Sequence, residues 1–462
     1  MKHSALLTLC ALPLLTLAAC GGGGGGGSTS TPLSTNADLA DLSISAGTLD
    51  PPFSSDTLTY QVGPQEMLVH GSVTLTPLAA QAGATITVDG LVVASGTPSA
   101  VIDVPVNVTP VLVRVTAEDG VSVREYNVII TRQGISLQTD YVKAPNTDAG
   151  DQYGYSVALD GDTLVVGARY EDSDASNGVN NSATESGAVY VYLRVPEGWL
   201  LQAYLKASNT DALDRFGYSV AIDGDTLVVG ANGEDSNATG VNGDELDNSA
   251  SGSGAAYVFV RSGGTWSQQA YLKAHNTDGG DLFGNSLALA GDTVVVGAER
   301  EDSNATGVGG DELDNSAAFS GAAYVFVRSL NGIWSQQAYL KASNTDADDW
   351  FGNSVALDGD TLVVGASREW SNATGVGGDG SNDSASVSGA AYVFVRSGGI
   401  WSQQAYLKAS NTDAFDRFGW SVALDGDTLV VGAFGESSNA TTSNNGESDN
   451  SAPDSGAIYI FK

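Results

Sequence analysis

The chain has little of what most enzyme chemistry uses, and little positive charge. Among 462 residues there are two Cys and three His, which leaves no basis for a zinc site, a thiol nucleophile or histidine-centred catalysis. Lys and Arg number 19 against 54 Asp and Glu, a formal net charge of −35. That balance argues against nucleic acid, whose phosphates need basic side chains. Beyond the first 20 residues no apolar run is long enough to cross a membrane. What the chain does have is bulk: 42% hydrophobic residues can fill the cores of two or three domains, which excludes a wholly disordered chain despite the charge. Cations and neutral or basic surfaces remain as partners.

Residues 1–19 read as an export signal, with Lys2, an apolar run and small residues before Cys20. Leu17-Ala18-Ala19-Cys20 resembles the lipobox of bacterial lipoproteins. The resemblance implies that Cys20 carries lipid and begins the mature protein, that Cys10 leaves with the signal, and that no disulfide remains. Gly21 rather than Asp follows Cys20, which by the same resemblance favours the outer membrane. Several acyl chains would anchor the protein firmly. An ordinary cleaved signal with a free Cys20 is the alternative. Residues 20–36, with the run Gly21–Gly27, form a flexible tether whose roughly sixteen residues reach about 20–25 Å.

Residues 37–133 alternate polar and apolar positions in short segments: Thr57–Val62, Ser72–Leu75, Ala84–Val88, Val111–Val115 and Tyr126–Ile130. About seven strands in so short a stretch predict an antiparallel sandwich. With Leu42-Ser43-Ile44-Ser45-Ala46-Gly47-Thr48-Leu49 at its start and Val115-Thr116-Ala117-Glu118-Asp119-Gly120 before its last strand, the stretch resembles the bacterial cadherin-like β-sandwich domain, which implies a spacer or adhesive module.

Residues 135–462 are a repeat array. Tyr141, Tyr204, Tyr271, Tyr339 and Tyr406 are spaced by 63, 67, 68 and 67 residues, a period that belongs to a propeller or a solenoid. In the second copy Phe216–Ile222 and Thr226–Ala231 form a hairpin about Asp223-Gly224-Asp225, and Ala255–Arg261 and Trp266–Lys273 supply two more strands. Four antiparallel strands make one blade. The chain ends on a third strand, Gly456–Lys462, while Ser136–Lys143 is a fourth strand with no blade before it. The expectation is an all-β protein: an Ig/cadherin-like sandwich followed by a five-bladed propeller, its ring closed by pairing of these first and last strands. The pairs Phe216-Gly217/Gly230-Ala231, Phe283-Gly284/Gly297-Ala298, Phe351-Gly352/Gly365-Ala366 and Phe418-Gly419/Gly432-Ala433, with Tyr153-Gly154/Gly167-Ala168 in the first copy, resemble the FG-GAP repeat of the integrin α-subunit propeller. Integrin propellers have seven blades, and the 328 residues here supply five. Their long calcium loop between the first two strands is also missing, so the family's calcium ligands do not transfer.

The connections from strand four to strand one and from strand two to strand three emerge at the same end of each blade, and both are acidic. The first carries Asp211 and Asp214, then Asp278 and Asp281, Asp346 and Asp349, and Asp413 and Asp416. The second carries Glu234, Asp235, Asn237, Asp244 and Asp247, then Glu301, Asp302, Asp311 and Asp314. Crowded oxygen ligands suit Ca²⁺, so these residues are candidate calcium ligands; the alternative is that they make turns and keep the surface soluble. Trp199, Trp266, Trp334 and Trp401 recur and are expected to pack between blades or at a turn. Trp350, Trp370 and Trp420 do not recur and are candidate ligand-binding residues, stacking on a sugar ring or anchoring a protein, or else local gap fillers. Glycosidases need an unequal pair of carboxylates, whereas here nearly every Asp has counterparts in other blades. His70 and His275 stand without a catalytic partner. The sequence therefore describes a lipid-anchored surface protein, not an enzyme, that binds a protein or glycan multivalently. A structural envelope component without a discrete ligand is the alternative, and a polysaccharide-active enzyme a further one.

Overall fold

The computed structural model describes residues 32–62, 72–104, 107–132, 140–174, 178, 180–440 and 446–462, and every regular element in them is a strand. Two compact units divide the chain, Met1–Thr139 and Asp140–Lys462. The export signal, Cys20, most of the tether, His70 and residues 136–139 of the expected closing strand lie outside the described residues.

In the first unit the strands are β1 (Leu39–Ile44), β2 (Thr59–Val62), β3 (Ser72–Val73), β4 (Leu75–Ala79), β5 (Thr85–Val88), β6 (Leu91–Val93), β7 (Ile102–Asp103), β8 (Asn107–Thr116) and β9 (Val123–Arg132). Alternate residues point inward: Val111, Val113 and Val115 of β8 meet Tyr126, Val128 and Ile130 of β9 in one core with Leu39, Tyr60 and Ile86. The Tyr126 hydroxyl accepts from the Leu39 N–H at 2.9 Å, so its buried oxygen has a partner. One expectation is corrected. The sandwich is not wholly antiparallel, because β2 pairs with β9 in parallel, Thr59 opposite Asn127, at the edge of the sheet β2-β9-β8-β5-β6. Alternation fixes which face of a strand is buried and says nothing about its direction.

The second unit repeats one sheet. The blades are β10 (Tyr153–Asp160), β11 (Thr163–Ala168), β12 (Ala188–Val195) and β13 (Gly198–Leu205); β14 (Ser219–Asp223), β15 (Thr226–Ala231), β16 (Ala255–Ser262) and β17 (Thr265–Leu272); β18 (Ser286–Ala290), β19 (Thr293–Ala298), β20 (Ala322–Arg328) and β21 (Trp334–Leu340); β22 (Phe351–Asp358), β23 (Thr361–Ala366), β24 (Ala390–Ser397) and β25 (Ile400–Leu407); and β26 (Phe418–Asp425), β27 (Thr428–Ala433) and β28 (Ala457–Phe461). The first four sheets have four antiparallel strands in chain order, and the fifth has three. Of the segment expected to complete it, the described residues Asp140–Lys143 are not in a strand.

The Phe-Gly and Gly-Ala pairs interlock neighbouring blades. Phe351 is buried edge-on against Tyr392, ring centres 5.3 Å apart. Gly352, at φ +88°, turns its carbonyl toward the preceding blade, where the Ser286 hydroxyl donates to it at 2.8 Å. A Cβ at Gly297 would lie 2.1 Å from that carbonyl oxygen, so the Gly-Ala position must be glycine for the blades to approach. The recurring tryptophans also tie blade to blade, as expected: Trp266, Trp334 and Trp401 are buried, and their indole N–H groups donate to Gln202, Gln269 and Gln337 of the preceding blade at 2.8–2.9 Å.

Candidate functional site

At the end of each blade where the two acidic connections emerge, the glutamate that opens the strand-two-to-three loop is buried. Glu234, at 1% exposure, accepts from Lys273 Nζ at 3.0 Å, Tyr271 Oη at 2.8 Å, Asn209 Nδ2 at 3.0 Å and the Ser236 N–H at 3.1 Å. Lys273 also donates to Ser253 Oγ at 2.6 Å. The same cage forms around Glu301 with Lys341, Tyr339 and Asn276, and around Glu369 with Lys408, Tyr406 and Asn344. Glu171 has Lys206 and Asn146. Burial lowers the Lys273, Lys341 and Lys408 pKa values, and the facing glutamate opposes that shift. A buried pair of this kind fixes geometry more surely than it adds stability; here it clamps the root of the long loop to the end of strand four.

Most of the other expected calcium ligands also have partners for their side chains within the chain. Asp214, Asp281, Asp349 and Asp416 each accept the N–H of the aspartate three residues earlier, at 2.7–3.1 Å. Burial pushes the pKa of Asp214, Asp281 and Asp349 up to about 8 and that of Asp416 to about 6. Asp211, Asp278 and Asp413 accept from Asn248, Asn315 and Asn450. Asp235 and Asp302 accept the N–H groups of Gly252 and Phe319, and Asp244, Asp247, Asp311 and Asp314 each accept a loop N–H two residues on. The Asn237 N–H donates to the Asp247 carbonyl, and burial raises the pKa of Asp346. Among the described residues no three acidic, His or Cys side chains converge to hold a metal ion. As arranged, these residues do not fit a calcium cage.

On this common frame a few positions differ from blade to blade. Three per blade have left-handed backbone: Gly150, Gln152 and Glu185; Leu213, Arg215 and Gly252; Gly280, Leu282 and Phe319; Asp348, Trp350 and Val387; and Phe415, Arg417 and Asp454, all with φ between +53° and +101°. They meet at blade junctions, where the Trp350 N–H donates to the Phe319 carbonyl at 3.1 Å and the Arg417 N–H to that of Val387 at 3.2 Å. Trp350, a sequence candidate, is one of them. Trp420 lies close by, 45% exposed and edge-on to Phe434 at 4.8 Å. Trp370, 38% exposed, opens a long loop where three other blades have Asp172, Asp235 and Asp302.

Sequence reasoning missed the buried lysines and the left-handed positions. The lysines left a signal: of seven in the chain, five follow the repeat tyrosine by two residues. The left-handed positions left none, because Leu, Phe, Trp and Arg are not residues that announce such a backbone.

The family model for the FG-GAP repeat matches residues 138–192, 199–259, 266–326, 334–394 and 401–461. That for the cadherin-like beta sandwich domain matches residues 39–133. No curated protein matches the chain.

Proposed function

Because the chain belongs to the FG-GAP repeat family, we propose that it is a lipid-anchored binding protein of the bacterial surface, held through Cys20 and presenting the loop-bearing end of its repeats to a protein or glycan partner. FG-GAP repeats beside a cadherin-like domain fit an extracellular binding or adhesion protein. The observation that carries the finer reading is the division of labour at that end. The Glu-Lys-Asn frame is the same in four blades, with the tyrosine bond added in three of them, whereas the residues raised on it differ. A fixed frame with varied display positions is what repeat proteins use to bind. Near-equivalence of the acidic positions speaks for repeated binding over a single reaction centre, so the reading is of a binder and not an enzyme. The reading does not rest on calcium, because most of the expected ligands accept hydrogen bonds within the chain; calorimetric titration decides whether the loops take up the ion.

The test uses the full-length protein. Mass spectrometry of the amino-terminal peptide should find acyl groups on Cys20, and Cys20→Ala should release the protein from membranes. A glycan array and a pull-down against envelope proteins should each be run with the purified protein. Specific retention of a partner supports binding. Retention of none, with envelope defects on deletion, favours the alternative of a structural component without a discrete ligand.

A further inference from the structure

Resting on the binding reading above, we infer that the junction of the third and fourth blades anchors the partner, and that the partner is a protein segment in which carboxylates are interspersed with apolar side chains. Three independent observations meet there.

The first is charge. Of the nine arginines in residues 140–462, Arg194, Arg261, Arg328 and Arg396 recur and pair with the hairpin aspartates at the other end of their blades. The remaining five, Arg169, Arg215, Arg300, Arg368 and Arg417, lie at or beside the positions that differ between blades. Positive charge that the frame does not use has therefore collected at one end of a strongly acidic chain.

The second is backbone. Phe319 and Trp350 occupy left-handed positions, φ +55° and +59°; the equivalents of Phe319 include Gly252, and those of Trp350 are Gln152, Arg215, Leu282 and Arg417. A bulky side chain costs more than glycine there, and costs of this kind persist where function demands the side chain.

The third is unmet hydrogen bonding. Nine buried side-chain polar atoms among the described residues make no hydrogen bond; of the five in this band, Arg215 Nε pairs with the Glu185 carboxylate at 3.6 Å, while Asn232 Oδ1, Trp350 Nε1, Ser367 Oγ and Arg368 Nε have no partner. Native proteins leave few such atoms. Two of them meet at the one junction, where the Arg368 guanidinium lies 4.5 Å from the Trp350 ring centre, and the fully buried Ser367 precedes Arg368 in the chain. Arg300 lies 6.0 Å from the same ring and 5.8 Å from that of Phe319. Indole, guanidinium and hydroxyl all seek an acceptor, and a carboxylate is the acceptor whose shape a guanidinium matches. Of the carboxylates already present, Glu299 feels the Arg300 charge and accepts from Asn285 at 3.1 Å, and Asp348 lies two residues before Trp350 in the chain.

A protein segment suits the surroundings better than an acidic sugar. Arg368 already covers the Trp350 ring, and the exposed neighbours are the apolar rings of Phe319 and, at the next junction, Phe415. Trp and Arg rimmed by apolar residues is the composition of protein-binding hot spots.

The experiment measures fluorescence anisotropy of the full-length protein with three labelled probes: a peptide of Asp, Glu, Leu and Phe; its Asn/Gln counterpart; and polygalacturonate. The acidic peptide should bind, more weakly as salt rises, and the amide peptide should not. Arg300→Gln with Arg368→Gln should weaken binding by about tenfold or more, Trp350→Phe should weaken it by deleting the indole donor, and Arg368→Lys should restore part of the loss relative to Arg368→Gln. Arg396→Gln, at the far end of the blade, should leave affinity unchanged. Equal binding of the amide peptide, binding of polygalacturonate alone, or indifference to the double substitution overturns the inference. Melting curves verify each fold, and Trp350→Phe carries the test if the double variant is unfolded. Should the pull-down or array retain a partner that these substitutions leave untouched, the binding reading stands and this inference falls.

Discussion

Blades one to four and blade five are built from nearly the same sequence and have different partners. Glu171, Glu234, Glu301 and Glu369 each face an ammonium group. Glu436, 3% exposed, accepts from Asn411 at 2.9 Å and has no ion pair among the described residues. Ser156, Ser219, Ser286 and Ser354 donate to a glycine carbonyl of the next blade, and no such bond is formed by Ser421. Blade one shows the converse. Val142 and Ala144 pack against it as their counterparts Leu205 and Ala207 pack against blade two, and Asn146 bonds Glu171 as Asn209 bonds Glu234. Yet Tyr141 is 79% exposed, and Lys143, at the position of the four buried lysines, lies near the Tyr153 ring. One blade thus lacks a Tyr and a Lys, and one Tyr-x-Lys segment lacks a glutamate. A repeat unit is complete only with its neighbours, and the comparison identifies which side chains would make the ring whole.

The largest effect expected is inside an intact blade. Lys341→Met leaves Glu301 buried without its cation and should cost about 3–5 kcal/mol, read from urea unfolding; replacing Glu301 as well should recover much of it. Lys143→Met is the sharper comparison. If Lys143 serves Glu436, its loss should come within about 1 kcal/mol of that for Lys341→Met. A side chain left in solvent beside Tyr153 should cost under about 0.5 kcal/mol, and that result would break the idea of a sealed ring.

Next in size is a pH effect. Asp281 and Asp349 have folded pKa values raised to about 8 by burial, above an unfolded value near 4. The folded state therefore binds more protons across that window. Their contribution to stability is fully present below about pH 4 and is lost as pH rises toward 8. Asp281→Asn keeps an acceptor for the Asp278 N–H and should flatten the decline by about 1 kcal/mol or more at pH 8. Asp416, raised only to about 6 because it is less buried, should show the effect over a narrower range, and an NMR titration placing it at 8 would mean blade five is as well covered as the rest.

The repeat period, the hairpins and the third and fourth strands were legible because Phe-Gly, Gly-Ala and the tyrosines recur where packing demands one shape. The fate of the carboxylates was not. Glu234 and Asp235 are neighbours in an acidic run, but one is buried on a lysine 39 residues away and the other takes a backbone N–H; composition alone cannot separate them. The loop composition suggested an ion, and it gave no sign of the lysine and amide groups to which these carboxylates are bonded. The direction of β2 and the left-handed turns at Leu213 or Trp350 lay beyond sequence reasoning because alternation has no polarity and those side chains signal no turn.

The smallest effect bears on the ring most directly, because it needs neither a buried charge nor a titration. The Ser354 hydroxyl donates to the Gly419 carbonyl at 2.9 Å, so Ser354→Ala leaves that acceptor without its hydroxyl partner and should cost about 1 kcal/mol. Ser421 is the same residue one blade later, and the carbonyl it would meet across the seam is that of Gly154, the partner glycine of the first repeat. With the ring open, Ser421→Ala removes a hydroxyl that makes no bond between blades and should leave the unfolding midpoint unchanged. A cost equal to that of Ser354→Ala means that the first and fifth blades meet in solution.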